Sequence, residues 1–157
     1  MIDFKSEPIL MGVVNVTPDS FSDGGNYFDP QNAINHALQL LEEGANILDI
    51  GGESTRPGAT PVSSEEEQRI LPVIKGIKKQ APKSIISVDT RHADTMQKSI
   101  QHGADIINDI SALTYDPKSL SVISKAQIPV MLMHMQGTPE TMQSCPHYDD
   151  VIEDIMV

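Results

Sequence analysis

Polar residues collect at five points along this chain, each where a short apolar run ends. The first cluster is Asn15 followed by Thr17-Pro18-Asp19-Ser20-Phe21-Ser22-Asp23-Gly24-Gly25, and the second runs from Asp49 through Gly51-Gly52-Glu53-Ser54-Thr55-Arg56-Pro57-Gly58. The others are Asp89-Thr90-Arg91, Asn108-Asp109 and His134-Met135-Gln136-Gly137. A single aspartate in such a place usually caps the next helix. Five coincident clusters point instead to a binding site. Asp89 and Asn108 offer acceptors and an amide donor to a flat heterocycle, and a carboxylate matches the parallel N–H groups of a cyclic amidine or guanidine edge. Covalent catalysis is disfavoured, because there is no Ser-His-Asp order and Cys145 precedes a proline without an activating partner. No Cys/His spacing suggests zinc, and the glycines follow neither standard nucleotide-binding pattern.

The elements that must position these groups alternate regularly. Strand candidates are Ile9–Val16, Ile47–Gly51, Ile85–Asp89, Ile106–Ile110 and Pro129–His134, continuously apolar as in strands buried on both faces. Helix candidates lie near 31–43, 64–80, 92–102 and 117–126, and a fifth begins near Asp149. Asp29-Pro30 and Asp116-Pro117 each place an N-cap residue before a proline at the first helical position. Ser64 and Glu67 have capping-box spacing, and Glu65 and Glu66 favour the positive end of the helix dipole. Gly44 and Gly103 stand where a left-handed C-terminal cap is wanted, within a weak internal repeat, Gly44-Ala45-Asn46-Ile47-Leu48-Asp49 and Gly103-Ala104-Asp105-Ile106-Ile107-Asn108. Such βα alternation specifies an α/β fold with a parallel sheet and right-handed crossovers. An open doubly wound sheet and a closed barrel both satisfy it. Five strands make about four and a half βα units, against eight for a closed (β/α)₈ barrel.

Composition narrows the class. With 39% hydrophobic and 21% charged residues in 157, the chain reads as one globular domain whose core relies on aliphatic residues and eight Met, since Trp is absent. No stretch reaches the roughly 18–20 apolar residues of a membrane span, and the N-terminus lacks the pattern of a secretory signal. Twenty-two acidic against eleven basic residues give a net charge of −11, which argues against nucleic-acid binding; an anionic substrate would need donors placed locally against that field. A lone cysteine, Cys145, suits a reducing cytoplasm.

Several of these segments resemble, in order, the signatures of the dihydropteroate synthases. They are Met11 to Gly25 (MGVVNVTPDSFSDGG), Asp49 to Gly58 (DIGGESTRPG), Ile86 to Thr90 (ISVDT), Ile107 to Ile110 (INDI) and Met133 to Gly137 (MHMQG). The first two are long and specific. The resemblance implies a (β/α)₈ TIM barrel, of which residues 1–157 are the N-terminal part of a single pterin-binding domain. It also implies a transferase of folate biosynthesis that condenses 6-hydroxymethyl-7,8-dihydropterin diphosphate with p-aminobenzoate, giving 7,8-dihydropteroate and diphosphate.

The resemblance implies roles residue by residue. Asp89 and Asn108 hydrogen-bond the pterin, and Ile110 and Met133 line its pocket, although Met133 also reads as core in the run Met131, Met133, Met135. Asn15 binds Mg²⁺ or the diphosphate. Thr55 meets the diphosphate, Arg56 the anionic partners, Pro57 belongs to the same loop, and Phe21 helps enclose p-aminobenzoate. Asn15, Thr55 and Arg56 carry the catalysis, with a homodimer expected of the full-length protein. The family's later Asp, Lys and Arg-x-His positions have no counterparts in these residues. Two alternatives stand beside this reading: a pterin- or folate-dependent methyltransferase domain of the same superfamily, and an inactive pterin-binding half-barrel.

Overall fold

The computed structural model describes residues 8–17, 29–53 and 63–156, without the side chains of 63–65. Strands and helices alternate throughout: β1 (Met11–Asn15), α1 (Pro30–Glu42), β2 (Ile47–Gly51), α2 (Ser63–Gln80), β3 (Ile85–Asp89), α3 (Ala93–Gln101), β4 (Ile106–Asp109), α4 (Ser119–Ala126), β5 (Val130–Leu132) and α5 (Val151–Met156). Local chemistry explains several boundaries. Asp29 caps α1 by accepting the Gln31 N–H at 2.8 Å, with Pro30 at the first helical position. Gly44 and Gly103 end α1 and α3 at φ of +106° and +107°, a conformation that L side chains rarely adopt.

Two start signals work differently from the expectation. Helix α2 already includes Ser63, so Ser64 lies inside its first turn rather than at the N-cap. Asp116 accepts the Lys118 N–H at 2.9 Å, but α4 starts only at Ser119, and the other carboxylate oxygen accepts the Ala93 N–H at 3.1 Å. Asp116 therefore caps α3 from outside it, where the N-cap residue His92 makes no side-chain cap of its own. These bonds, chiefly that from Lys118, hold its carboxyl below the usual aspartate range.

The five strands form one parallel sheet in the order β1-β2-β3-β4-β5. A doubly wound sheet reverses its winding direction at a switch point. Among the described strands there is no reversal, so right-handed crossovers place the helices on one face. This is the winding of a (β/α)₈ barrel, and it decides between the two folds that periodicity allows. The helix-facing side is dry: Val14, Leu48, Ile50, Ile86, Val88 and Ile107 pack with Ile70, Val73, Ile74 and Ile77 of α2 and Met96 of α3. Each such fully buried side chain contributes about 1.5–3 kcal/mol relative to exposure. The opposite side is less covered toward the β1 edge, where Val13 is 53% exposed.

Register sets the interior. Asn15 pairs with Gly51, Gly51 with Asp89, Asp89 with Asn108 and Asn108 with Met131, so these five form one transverse row. One layer deeper, Val13, Asp49, Ser87 and Ile106 form another. Successive strand residues alternate faces, and Val14, Ile50, Val88 and Ile107 belong to the helix-side core. Both rows therefore face the barrel interior.

Candidate functional site

The carboxyl ends of the parallel strands gather at one rim, where (β/α)₈ and related folds build their sites. Asp89 closes β3 and Asn108 lies at the matching level of β4. Gly51 separates Asp89 from Asn15 in the same row and leaves an opening between them. A Cβ built on Gly51 would lie 3.6 Å from Asp89 Oδ2 and 4.0 Å from Asn15 Oδ1, so both oxygens border one gap. Ile110 follows the end of β4 and is half-buried. Met133, also half-buried, donates its N–H to the Asp109 carbonyl at 3.2 Å, which extends the β4–β5 ladder by one residue and keeps Met133 on the inner side.

Asp89 makes no hydrogen bond among the described residues, and its carboxyl is pushed up to about 7. Burial is the main cause, followed by the nearby charges of Asp49, Asp109 and Glu53. An acceptor held in this state gains most from a ligand that brings N–H donors. Asn108 donates from Nδ2 to Asp49 Oδ2 at 3.2 Å. Its partner Asp109 is turned to the helix side, fully buried, and accepts from Ser111 N, Ser111 Oγ and Leu113 N at 2.7–2.9 Å. Of the Asn108-Asp109 pair, only the asparagine belongs to the interior row.

Behind the β2–β3 rim lies a second polar group. Arg91 donates to both oxygens of Glu53 at 2.9 and 3.3 Å, with its guanidinium 4.2 Å over the Tyr115 ring. His92 Nε2 is 3.4 Å from Glu53, and the His92 ring meets Tyr115 edge-on. Glu66 is fully buried, accepts from Thr90 and Thr95 hydroxyls at 3.1 Å each, and keeps Oε1 without a partner. Ligand atoms of Glu53, Glu66 and His92 fall within 4.8 Å of one another. Arg91 already neutralises Glu53, and burial above all pushes the Glu66 carboxyl up to about 8, so the group stands as an ion pair beside a neutral acid. The sequence showed Glu66 only as a helix-dipole residue; its burial could not be read from its position in α2.

Glu66 makes stability depend on pH in a defined direction. Its ordinary value is 4.5, so between there and about 8 the folded protein holds a proton that the unfolded chain has lost. Stability from this group is thus greatest at low pH and falls as pH rises through that window. Glu66→Gln, which is neutral at every pH, is expected to flatten the decline and to melt several degrees above the parent at pH 8, a gain of roughly 1 kcal/mol or more. Parallel melting curves for parent and variant from pH 5 to 8 would contradict a buried neutral Glu66.

The strand-five cluster is engaged locally. His134 Nε2 meets the Tyr148 hydroxyl at 3.0 Å, and Gln136 exchanges two hydrogen bonds with the His147 backbone. Cys145 is exposed. Among the described residues no helix is long and apolar enough to cross a membrane. Phe21, Thr55, Arg56 and Pro57 lie outside the described residues.

Comparison with known proteins agrees with this fold. The sequence model described as pterin binding enzyme matches residues 11–157. The chain is 50% identical over 151 residues to dihydropteroate synthase of Escherichia coli K12, covering 96% of this chain and 53% of that protein. It is 44% identical over 156 residues to the Bacillus subtilis dihydropteroate synthase, covering 99% and 52%. Among solved structures, Xanthomonas albilineans dihydropteroate synthase with 4-aminobenzoic acid superposes with a TM-score of 0.81 at 48% identity, covering 94% of this chain and 52% of that one. The Yersinia pestis dihydropteroate synthase in a sulfonamide drug complex gives 0.84 at 47% identity, covering 95% and 54%. The chain spans about half the length of the curated relatives it matches.

Proposed function

We propose that this chain, which belongs to the pterin-binding enzyme family, forms the pterin-binding side of a dihydropteroate synthase. The observation that carries the reading is the inward row in which Asp89 and Asn108 stand side by side beneath an open rim. A pterin presents a ring N–H and an exocyclic amino group along one edge, and an unpartnered carboxylate beside an amide is suited to receive them. Ile110 and Met133, both half-buried at the same rim, supply apolar walls for the ring faces. Residues 1–157 are then the N-terminal part of one barrel domain.

In the proposed reaction the p-aminobenzoate nitrogen forms a bond to the pterin methylene carbon. The carbon–oxygen bond to diphosphate breaks, diphosphate leaves with the electron pair, and the amine releases a proton. Asn15 fits an Mg²⁺ role, because its Oδ1 shares a gap with an Asp89 oxygen, and Mg²⁺ takes few protein oxygens and fills its shell with water and phosphate. A bound Mg²⁺ would supply charge stabilisation for the departing diphosphate. Thr55 is assigned to that diphosphate, Arg56 to the anionic partners, with Pro57 in the same loop, and Phe21 to helping enclose p-aminobenzoate, the molecule bound in the Xanthomonas albilineans relative. The reading includes a cytoplasmic homodimer.

Diphosphate release with both substrates present is the direct test, run on a barrel completed with the C-terminal strands of a full-length relative. Release in step with p-aminobenzoate consumption supports the assignment. Methyl transfer from a methylated pterin without diphosphate would favour the methyltransferase alternative instead. Arg56→Ala is expected to raise the KM for p-aminobenzoate and lower kcat by about tenfold or more, with a smaller effect on pterin affinity. Equal losses for the two substrates would contradict that division.

A further inference from the structure

Below Asp89 and Asn108, the deeper inward row carries a carboxylate to which the pterin reading assigns no contact with the ligand. Asp49 is buried, accepts the Asn108 Nδ2 proton through Oδ2 at 3.2 Å, and leaves Oδ1 inaccessible and without a partner. An ionised carboxylate only accepts hydrogen bonds, whereas a primary amide has a donor end and an acceptor end. The carboxylate therefore has one stable arrangement with Asn108: the amide nitrogen toward Asp49 and the carbonyl away from it. Replacing it with a group that can also donate would let the amide turn over.

We propose that Asp49 is a specificity-determining positioning residue, which holds the Asn108 carbonyl toward the pocket so that Asp89 and Asn108 together present two acceptors to a donor-rich heterocycle edge. This rests on the pterin reading above and deepens it. With the amide held, the wall complements a ring N–H beside an amino group and opposes a heterocycle that offers acceptors there. With the amide free to flip, that discrimination weakens. The strand register supports the mechanism: Asp49 pairs with Ser87, one layer beneath the Asp89–Asn108 pair, so it reaches Asn108 diagonally from below and needs no contact with the ligand. Ser87 Oγ, on the same layer, is likewise buried and makes no hydrogen bond to Asn108 among the described residues.

The experiment is a double-mutant cycle on the whole protein, titrated calorimetrically with 6-hydroxymethylpterin. Asp49→Asn is expected to weaken binding about tenfold when Asn108 is present, and less than about twofold when Asn108 is already Ala. The KM for p-aminobenzoate should stay within about twofold, because Asp49 lies one layer beneath the Asp89–Asn108 row and out of reach of that substrate. Additive losses in the cycle, or full affinity in Asp49→Asn, would overturn the proposal. If Asp49→Asn does not fold, the exchanged pair Asp49→Asn with Asn108→Asp decides. It conserves charge and the cross-strand hydrogen bond and leaves a carboxylate oxygen facing the pocket, so it is expected to bind within about threefold of the parent, and a folded exchanged pair that fails to bind sinks the idea. Parent protein that binds no 6-hydroxymethylpterin would count against the pterin reading itself, whereas parent binding with an additive cycle counts against Asp49 alone.

Discussion

Asp89→Ala is expected to lower pterin affinity at least about tenfold while leaving the fold intact. The loss strands the buried ligand N–H that Asp89 is expected to accept, at about 1–3 kcal/mol or more. The fold is spared because Asp89 makes no hydrogen bond to another described residue and its carboxyl is held up at about 7, mainly by burial. Removing such a group relieves an electrostatic cost in the free protein. The same state gives a second readout. A ligand donor favours the ionised form, so pterin binding near pH 7 should expel a fraction of a proton, visible as a buffer-dependent binding enthalpy, and Asp89→Ala should abolish it. Unchanged affinity in calorimetry, or proton release that survives the substitution, would remove Asp89 from the site.

The 157 residues by themselves are expected to form no measurable dihydropteroate. Among the described residues, β1 pairs only with β2 and β5 only with β4, so the sheet does not close. The inner layer then stays wet at its margin, as the exposure of Val13 shows, and Leu132 is uncovered on the helix side of the β5 edge. Unpaired strand edges also invite association with other chains. Phosphate groups in (β/α)₈ barrels are commonly held by loops after strands seven and eight, and five strands supply none of these. Losing one preorganised electrostatic contact costs roughly 10²–10³ in rate, and several would be lost together. Assaying the 157 residues beside a barrel completed with the C-terminal strands of a full-length relative makes the comparison. Condensation at a similar rate by the 157 residues would overturn the expectation and require a closed site made by self-association.

Much of the architecture was legible without coordinates because its signals are local. Continuous Val/Ile runs marked β2 and β3 at their observed limits, and Asp29-Pro30, Gly44 and Gly103 marked helix ends through backbone chemistry confined to a few residues. The same locality explains the errors. Asp116 bears the signature of a cap for the helix that follows it, yet its second oxygen serves Ala93, twenty-three positions earlier. No pattern within a helix can report a partner on a different one.

The sequence by itself determined the βα alternation and put Asn15, Asp49, Asp89 and Asn108 at or near strand ends. The signatures around them pointed to the family. Only the tertiary structure decided between a barrel and a doubly wound sheet, since both contain the same local units and differ in which strands become neighbours. It also decided which strand-end acids face the interior. Asp89 and Asp109 look alike in sequence, each ending a short apolar strand, but register turns the first inward beside Asn108 and the second to the helix side. Glu66 is the extreme case, a helix-start glutamate that packing buries between Thr90 and Thr95 and so keeps protonated. Periodicity is a property of neighbours in the chain, whereas burial and charge coupling depend on neighbours in space.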